Sequence, residues 1–336
     1  MHTPVMVDEV DAHLEPSRGG VYVDCTIGMG GHARRMLDGG ATRLIGIDRD
    51  PDALAQARDA LRAYGDRVSL VHSDYRNLIA VLDALGIEVV DGVLADLGVS
   101  SMQLDSPDRG FSFRRDEPLD MRMDRSSGAT AAEMLAAVDE RTLADVIYEF
   151  GEERHARRVA RAIVDANRTR RIETTGRLAE IVRNAVPRKG YSRIDPATRT
   201  FQAIRIWVNR ELEDLDGFLT RAAGRLAPAG RLVVITFHSL EDRVVKTYLA
   251  ERGRIVAGSR HQPEVPHAPP SFKPLTRKPI VADDAEVAMN PRARSAKLRA
   301  AERTGAAPIG GDLEHLLPRL PSLADAMRAH APRGSR

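Results

Sequence analysis

The sequence predicts an α/β fold: a mostly parallel, Rossmann-like sheet covered by helices on both faces and interrupted by an inserted helical domain. Three observations carry that expectation. Short β-branched runs alternate with helical stretches up to residue 97, as repeated βαβ units do. From there to residue 226 no strand pattern appears and apolar residues recur at helical spacing. The clearest strand of the chain, Arg231-Leu232-Val233-Val234-Ile235-Thr236-Phe237, then resumes the sheet.

Taken in order, a strand over 21–23 enters a glycine-rich turn and a helix over 32–37. A strand over 44–47 precedes a helix over 52–64, and Pro51 suits an early helical position through its fixed φ and missing N–H. A strand over 68–71 leads to a helix over 78–85, and 92–97 is the fourth strand. A polar loop over 100–118 leads to Asp120-Met121-Arg122-Met123-Asp124 and then to helical stretches at 131–138, 143–150, 156–166 and 178–185. Gly176, Pro187 and the Lys189-Gly190 turn mark their joints. One long helix is expected over 197–226, with Phe201, Ile204, Trp207, Val208, Leu212, Leu215 and Leu219 as its core stripe. After a turn at 227–230 and the strand over 231–237, a helix starts at Ser239, capped with Asp242 three positions on. Prolines and basic residues over 258–279 suggest an irregular arm or a wide hairpin. The Ala-, Gly-, Pro- and Arg-rich end reads as poorly ordered outside 313–327. The expected domains are 1–104 and 216–304 for the two parts of the sheet domain, 105–215 for the helical insertion, and 305–336 for a flexible tail.

Composition narrows the class. With 336 residues, 43% of them hydrophobic, the chain can bury a sizeable core. The single cysteine, Cys25, excludes an intramolecular disulfide and a Cys-rich metal site, and no metal is expected. No apolar run approaches the roughly 20 residues of a membrane span, and the first residues lack the basic-then-apolar order of a signal peptide. A soluble, cytoplasmic protein with no membrane partner is the expectation. The net charge of +2 hides an uneven distribution: residues 151–210 hold fifteen Arg and Lys against six Asp and Glu, a local net of +9. Such a block is either a solvated helical surface or a nucleic-acid surface.

The glycine turn, Asp24-Cys25-Thr26-Ile27-Gly28-Met29-Gly30-Gly31-His32, marks the candidate cofactor site. A strand that ends in glycines and enters a helix leaves backbone N–H groups free and room for close approach. Gly28, Gly30 and Ala33 also satisfy the dinucleotide pattern G-x-G-x-x-(G/A), so a nicotinamide oxidoreductase is an alternative, as is a turn with no ligand. Asp48, at the next strand end, suits the ribose hydroxyls of either adenosine cofactor. Asp24 and Asp96 tilt the choice. Carboxylates at the mouth of the turn would repel a pyrophosphate, whereas S-adenosylmethionine presents an ammonium and a sulfonium.

Several ordered segments carry a resemblance that is far more specific than the turn: 2–5, 24–32, 46–51, 96–101, 109–113, 118–124, 148–154, 196–209, 237–243 and 290–295. On these the sequence closely resembles the RsmH (MraW) group, bacterial methyltransferases that modify the exocyclic amine of a cytosine in the decoding centre of small-subunit ribosomal RNA. The resemblance implies a class I S-adenosylmethionine-dependent methyltransferase sheet. It implies methylation at N4 of a cytosine in 16S rRNA, and 16S rRNA or the small ribosomal subunit as partner; a homodimer stays open. Carried over by motif, Gly30, Gly31 and His32 would hold the methionine part, Asp48 the ribose, Tyr75 the adenine, and Asp96 and Gln103 polar groups near the reacting end. Tyr75 stands where the group often has Phe, and either ring offers a stacking face.

The chemistry asks for alignment and a hydrogen-bond acceptor, because a cytosine amine has its lone pair delocalised into the ring. Asp96 is the expected acceptor, helped by Ser100, Ser101 or a loop carbonyl, with His238 at the same sheet edge. The strand end lacks the Pro-Pro-aromatic loop of DNA amino-methyltransferases, so Phe111 or Phe113 is the candidate stacking ring. Base flipping or capture of an exposed nucleotide would present the target. Arg199, Arg205 and the Arg168-Thr169-Arg170-Arg171 cluster are the expected phosphate contacts. An assembly factor that uses the cofactor fold only as an RNA platform is the competing reading.

Overall fold

The computed structural model describes residues 4–187, 195–254, 269–308 and 320–329. The Lys189-Gly190 joint, Arg188 and Arg193 of the basic block, His2-Thr3, the first part of the expected arm and residues 313–319 of the tail lie outside the described residues.

In chain order, α1 (Val7–Leu14), β1 (Val21–Asp24), α2 (Gly31–Asp38), β2 (Arg43–Asp48), α3 (Pro51–Ala60), β3 (Val68–His72), α4 (Leu78–Ala84) and β4 (Val90–Asp96) come first. Six helices follow: α5 (Ser101–Asp105), α6 (Ala131–Ala137), α7 (Glu140–Gly151), α8 (Ala156–Thr169), α9 (Thr175–Ala185) and α10 (Ala197–Asn209). Then come α11 (Leu215–Arg225), β5 (Leu226–Thr236), α12 (Ser239–Arg252), β6 (Phe272–Pro274), β7 (Ile280–Val281), α13 (Asp284–Met289), β8 (Lys297–Arg303) and α14 (Leu323–Ala329). The chain divides into two compact units, Met1–Gly98 with Asp214–Leu317 and Val99–Glu213 with Pro318–Arg336.

In the first unit the sheet runs β3-β2-β1-β4-β5-β8-β6, with β7 also on β8. Strands β1 to β5 are parallel, and β8 is antiparallel to β5, β6 and β7. The order of growth reverses between β1 and β4, which makes their carboxyl ends the topological switch point where ligands bind in open α/β sheets. Strands covered on both faces read as continuous apolar runs. Accordingly Val93, Leu94 and Ala95 of β4 and Leu232 to Ile235 of β5 are all buried, and Leu14, Met36 and Leu37 join the same core.

Five elements differ from expectation. The turn expected over 227–230 is a bulged stretch inside β5, which starts at Leu226 and absorbs the irregularity through left-handed Ala229 (φ 65°). Helix α1, whose Val7, Val10 and Leu14 stand at helical spacing, and the inserted strand β8, which mixes apolar and charged residues, are absent from the expected elements. The stretch over 197–226 is two helices, because Arg210 and Asp214 adopt left-handed backbone (φ 53° and 58°) and close one helix and open the next. The cap of α12 is His238 with Glu241, one residue earlier than the expected Ser239 with Asp242: both capping bonds of a box are present there.

In the second unit α7 packs on α8 and α10. Residues 109–124 are tied to α10 by Asn209, whose Oδ1 accepts from Met123 N–H at 2.7 Å and whose Nδ2 donates to Met121 carbonyl oxygen at 2.7 Å. In the tail, the stretch over 313–327 that is excepted from poor order includes most of α14, with Leu323 and Ala326 buried and Pro321 carbonyl oxygen accepting from Trp207 Nε1 at 3.0 Å.

Candidate active site

Three acidic residues end three adjacent strands. Asp48 ends β2, Asp24 ends β1 and Asp96 ends β4, with Asp24 paired in register to Gly46 on one side and Leu94 on the other. The turn after β1 is sewn to all three strand ends. Cys25 N–H donates to Leu94 carbonyl oxygen, Ile27 N–H to Ile47 carbonyl oxygen, and Gly28 N–H to Asp48 Oδ2 at 2.8 Å. Asp96 N–H donates to Thr26 Oγ1 at 2.7 Å.

The glycines are there for space. Gly30 caps α2 with φ +81°, and a side chain at Gly31 would place its Cβ 2.2 Å from Pro4 Cγ. His32 follows in the first turn of α2, buried, with neither ring nitrogen hydrogen-bonded and Nε2 3.7 Å from Asp96 Oδ2. Asp96 Oδ1 is likewise buried without a hydrogen-bond partner.

The electrostatics call for a cation. Burial pushes the Asp24 carboxyl up to about 7, with Asp96 and Asp48 adding to the rise and His32 and the Thr26 N–H opposing it. Burial also lifts Asp48 to about 6 against the hydrogen bonds from the Asp50 and Gly28 N–H groups. Among the described residues none of the three carboxylates forms an ion pair with Lys or Arg. Unpaired buried polar atoms are costly, so the orphaned His32 and Asp96 atoms, with buried Asp24 and half-buried Asp48 lacking a Lys or Arg partner among the described residues, fit a ligand that carries an ammonium and a sulfonium. They do not fit a pyrophosphate.

Other expected residues fall as follows. Tyr75 packs on Phe218 of α11, ring centroids 4.7 Å apart, and burial raises its hydroxyl pKa. Its ring is thus held in place from one side. His238 accepts the Glu241 N–H through Nδ1, so its first role is as a cap. In the second unit, Ser100 and Gln103 hold each other in a capping box at the start of α5. Phe111 is buried, while Phe113 meets Phe201 edge to face at 4.8 Å under the Arg183 guanidinium. Arg199 is exposed and donates to Glu152 carbonyl oxygen. Arg205 is engaged by Glu211 through two bonds of 2.8 Å. On the surface of α8, Arg157, Arg158 and Arg161 are exposed, as are Arg170 and Arg171 just beyond it.

Sequence reasoning missed Thr26 and Pro4. The hydroxyl of Thr26 fixes the backbone of Asp96, and Pro4 fills the space a side chain at Gly31 would need. The only signal for either was position, two residues after a strand-end acid and inside the 2–5 segment.

Strand order, the single antiparallel strand within the sheet and an acid-ringed glycine turn at the switch point define the chain as a class I S-adenosylmethionine-dependent methyltransferase, with S-adenosylmethionine as its cofactor. The model of the MraW methylase family matches residues 1–304, and the chain belongs to that family. It is 55% identical to "Ribosomal RNA small subunit methyltransferase H" of Nitrobacter winogradskyi over 97% of each chain. It is 54% identical to the protein of the same name from Bradyrhizobium diazoefficiens, over 97% of this chain and 98% of that one. Among solved structures, an S-adenosylmethionine dependent methyltransferase from Mesorhizobium loti aligns with a TM-score of 0.40 at 11% identity, covering 88% of this chain and 96% of that one. No helix among the described residues is long and apolar enough to cross a membrane.

Proposed function

We propose that the protein methylates N4 of a cytosine in the decoding region of 16S rRNA, acting on the RNA or on the small ribosomal subunit in the cytoplasm. The observation that carries this is identity above 50%, over nearly the whole chain, to relatives named for a ribosomal RNA small subunit methyltransferase. The cytosine and its N4 rest on the resemblance of the motif segments.

When bound, S-adenosylmethionine supplies a methyl group made electrophilic by its sulfonium. Gly30, Gly31, His32 and Asp24 would hold the cationic methionine end, Asp48 the ribose, Tyr75 the adenine, and Gln103 a polar group of the cofactor. The chain must then align a weak amine and accept its hydrogen bond. Asp96 Oδ1, buried and without a partner, is the acceptor best suited to a cytosine amine that gains positive charge. Ser100 and the rings of Phe111 and Phe113 are assigned to the target base, and Arg199 with the Arg168, Arg170 and Arg171 cluster to phosphates. Arg205, expected among the phosphate contacts, is instead neutralised by Glu211 at the end of α10.

Transfer of labelled methyl from the cofactor to small-subunit rRNA tests the reaction, and nucleoside mass spectrometry of rRNA from cells lacking the gene tests the target. Loss of one N4-methylated cytidine is expected. An unchanged nucleoside profile together with tight subunit binding would favour the assembly-factor reading.

A further inference from the structure

Two of the motif segments, 237–243 and 290–295, are not absorbed by the cofactor site, and the fold brings them together. A concave pocket of about 220 Å³ is lined by Phe237, His238 and Ser239 at the start of α12 and by Arg294, Ser295 and Lys297 at the start of β8. Thr236 pairs in register with Lys297, and Ile235 with Asp96. The pocket therefore opens at the same sheet edge as Asp96. With one strand between β4 and β8 and strands about 4.8 Å apart, it lies on the order of 10 Å across the sheet from that acid.

The charged side chains that line it are cationic. No carboxylate lines it. Asp242, in the first turn of α12, accepts from Arg299 Nε at 2.7 Å and from Lys297 Nζ at 3.3 Å, so two cations share one carboxylate. Burial pushes Asp242 up, but the Arg299 and Lys297 contacts outweigh it and leave its carboxyl below the usual range. Arg294 is exposed and has no ion-pair partner among the described residues. Helix α12, fourteen residues long, adds the N–H groups and positive end of its first turn. Glu241 sits in that turn but is turned into the cap, accepting the Phe237 N–H at 2.9 Å. The His238 side chain is only 5% exposed. Its Nε2 has no hydrogen-bond partner, and although it lies 3.1 Å from Glu241 Oε1, the geometry is not that of a hydrogen bond.

We infer that this pocket is a phosphodiester site that grips the RNA backbone beside the target nucleotide, with Arg294 and Lys297 on the non-bridging oxygens and the hydroxyls of Ser239 and Ser295 as further donors. The inference rests on RNA being the substrate. It assigns to these two segments, beside their capping and ion-pair contacts, the task of fixing the register of the strand while Asp96 meets the base; phosphate contacts position and base contacts specify.

The test is binding of unmethylated small ribosomal subunits by the full chain between 50 and 200 mM KCl, for wild type, Arg294→Gln, Arg294→Lys and Ser295→Asp, with S-adenosylhomocysteine affinity measured alongside. Arg294→Gln should bind about tenfold more weakly at the low-salt end, and its slope of log affinity against log salt should be shallower by about 0.7 to 0.9, one phosphate contact's worth. Arg294→Lys should recover most of both. Ser295→Asp, which puts a carboxylate into the same pocket from a different residue, should weaken binding at least as much. S-adenosylhomocysteine affinity and thermal midpoints should not move. If Arg294→Gln matches wild type in affinity and slope, the pocket is not a phosphate site, while RNA as substrate stands. If the variants lose S-adenosylhomocysteine instead, the pocket serves the cofactor and the inference is overturned. If wild type neither binds nor methylates the subunit, the RNA reading fails and takes this inference with it.

Discussion

Asp24 is ionised at a cost in the cofactor-free protein, because it is buried beside Asp48 and Asp96 with no Lys or Arg paired to it among the described residues. Its carboxyl lies at about 7 against an ordinary value of 3.8. The folded state therefore binds a proton more tightly than the unfolded chain, so this contribution to stability is complete below pH 4 and is lost as pH rises through 7, at up to about 1.4 kcal/mol per pH unit. Urea midpoints of the cofactor-free protein should fall over that range, and Asp24→Asn should flatten the decline. A cationic ligand favours the ionised form. S-adenosylmethionine should thus bind more tightly at pH 8 than at pH 6 and release a proton on binding near pH 6.5. Calorimetry in two buffers of different ionisation enthalpy measures that proton, and none should appear for Asp24→Asn. A second residue prediction concerns Asp96. Asp96→Asn should lower methyl transfer by about a hundredfold or more, and full activity would remove Asp96 from the role of acceptor. These acids were legible because each follows an apolar run and ends a strand. Thr26 and Pro4 were not, since their partners, Asp96 and Gly31, are distant in sequence and chosen by packing.

The elements divide along similar lines. Strands β1, β2, β4 and the inner part of β5 are readable because a parallel sheet buried on both faces demands continuous apolar runs. Strand β8 lies between β5 and β6 yet reads Lys297-Leu298-Arg299-Ala300-Ala301-Glu302-Arg303. Its buried arginines are satisfied from elsewhere, Arg299 by Asp242 and Arg303 by the carbonyls of Ala223 and Ser271, and no local window contains those partners. The break between α10 and α11 was hidden for a related reason. The apolar stripe runs across it, while the turn itself depends on left-handed Arg210 and Asp214. Next to that turn Arg205 and the buried Glu211 form a two-bond ion pair. Glu211→Ala leaves a mostly buried guanidinium without its carboxylate and should cost about 2–3 kcal/mol in urea unfolding. Glu211→Gln, which keeps one acceptor, should cost less. Equal losses would mean that packing of the side chain, and not its charge, holds the turn.

At the scale of the molecule, the excess of basic charge lies in the helical unit, and the three strand-end acids lie in the sheet unit. Residues 151–210 carry the excess, and its exposed part includes Arg157 and Arg158 on α8, neither of which has an ion-pair partner among the described residues. If this face is merely solvated, removing two of its charges changes nothing but solubility. If it holds RNA, the loss is specific in kind. Contacts to phosphate are made equally in the bound substrate and in the transition state, so Arg157→Gln with Arg158→Gln should raise KM for the small subunit several-fold and leave kcat near wild type. Affinity for S-adenosylhomocysteine should be unaltered, because the cofactor residues of the sheet unit are untouched. A fall in kcat with KM unchanged would place these arginines in the catalytic step, and wild-type values of both would return the basic face to the solvent.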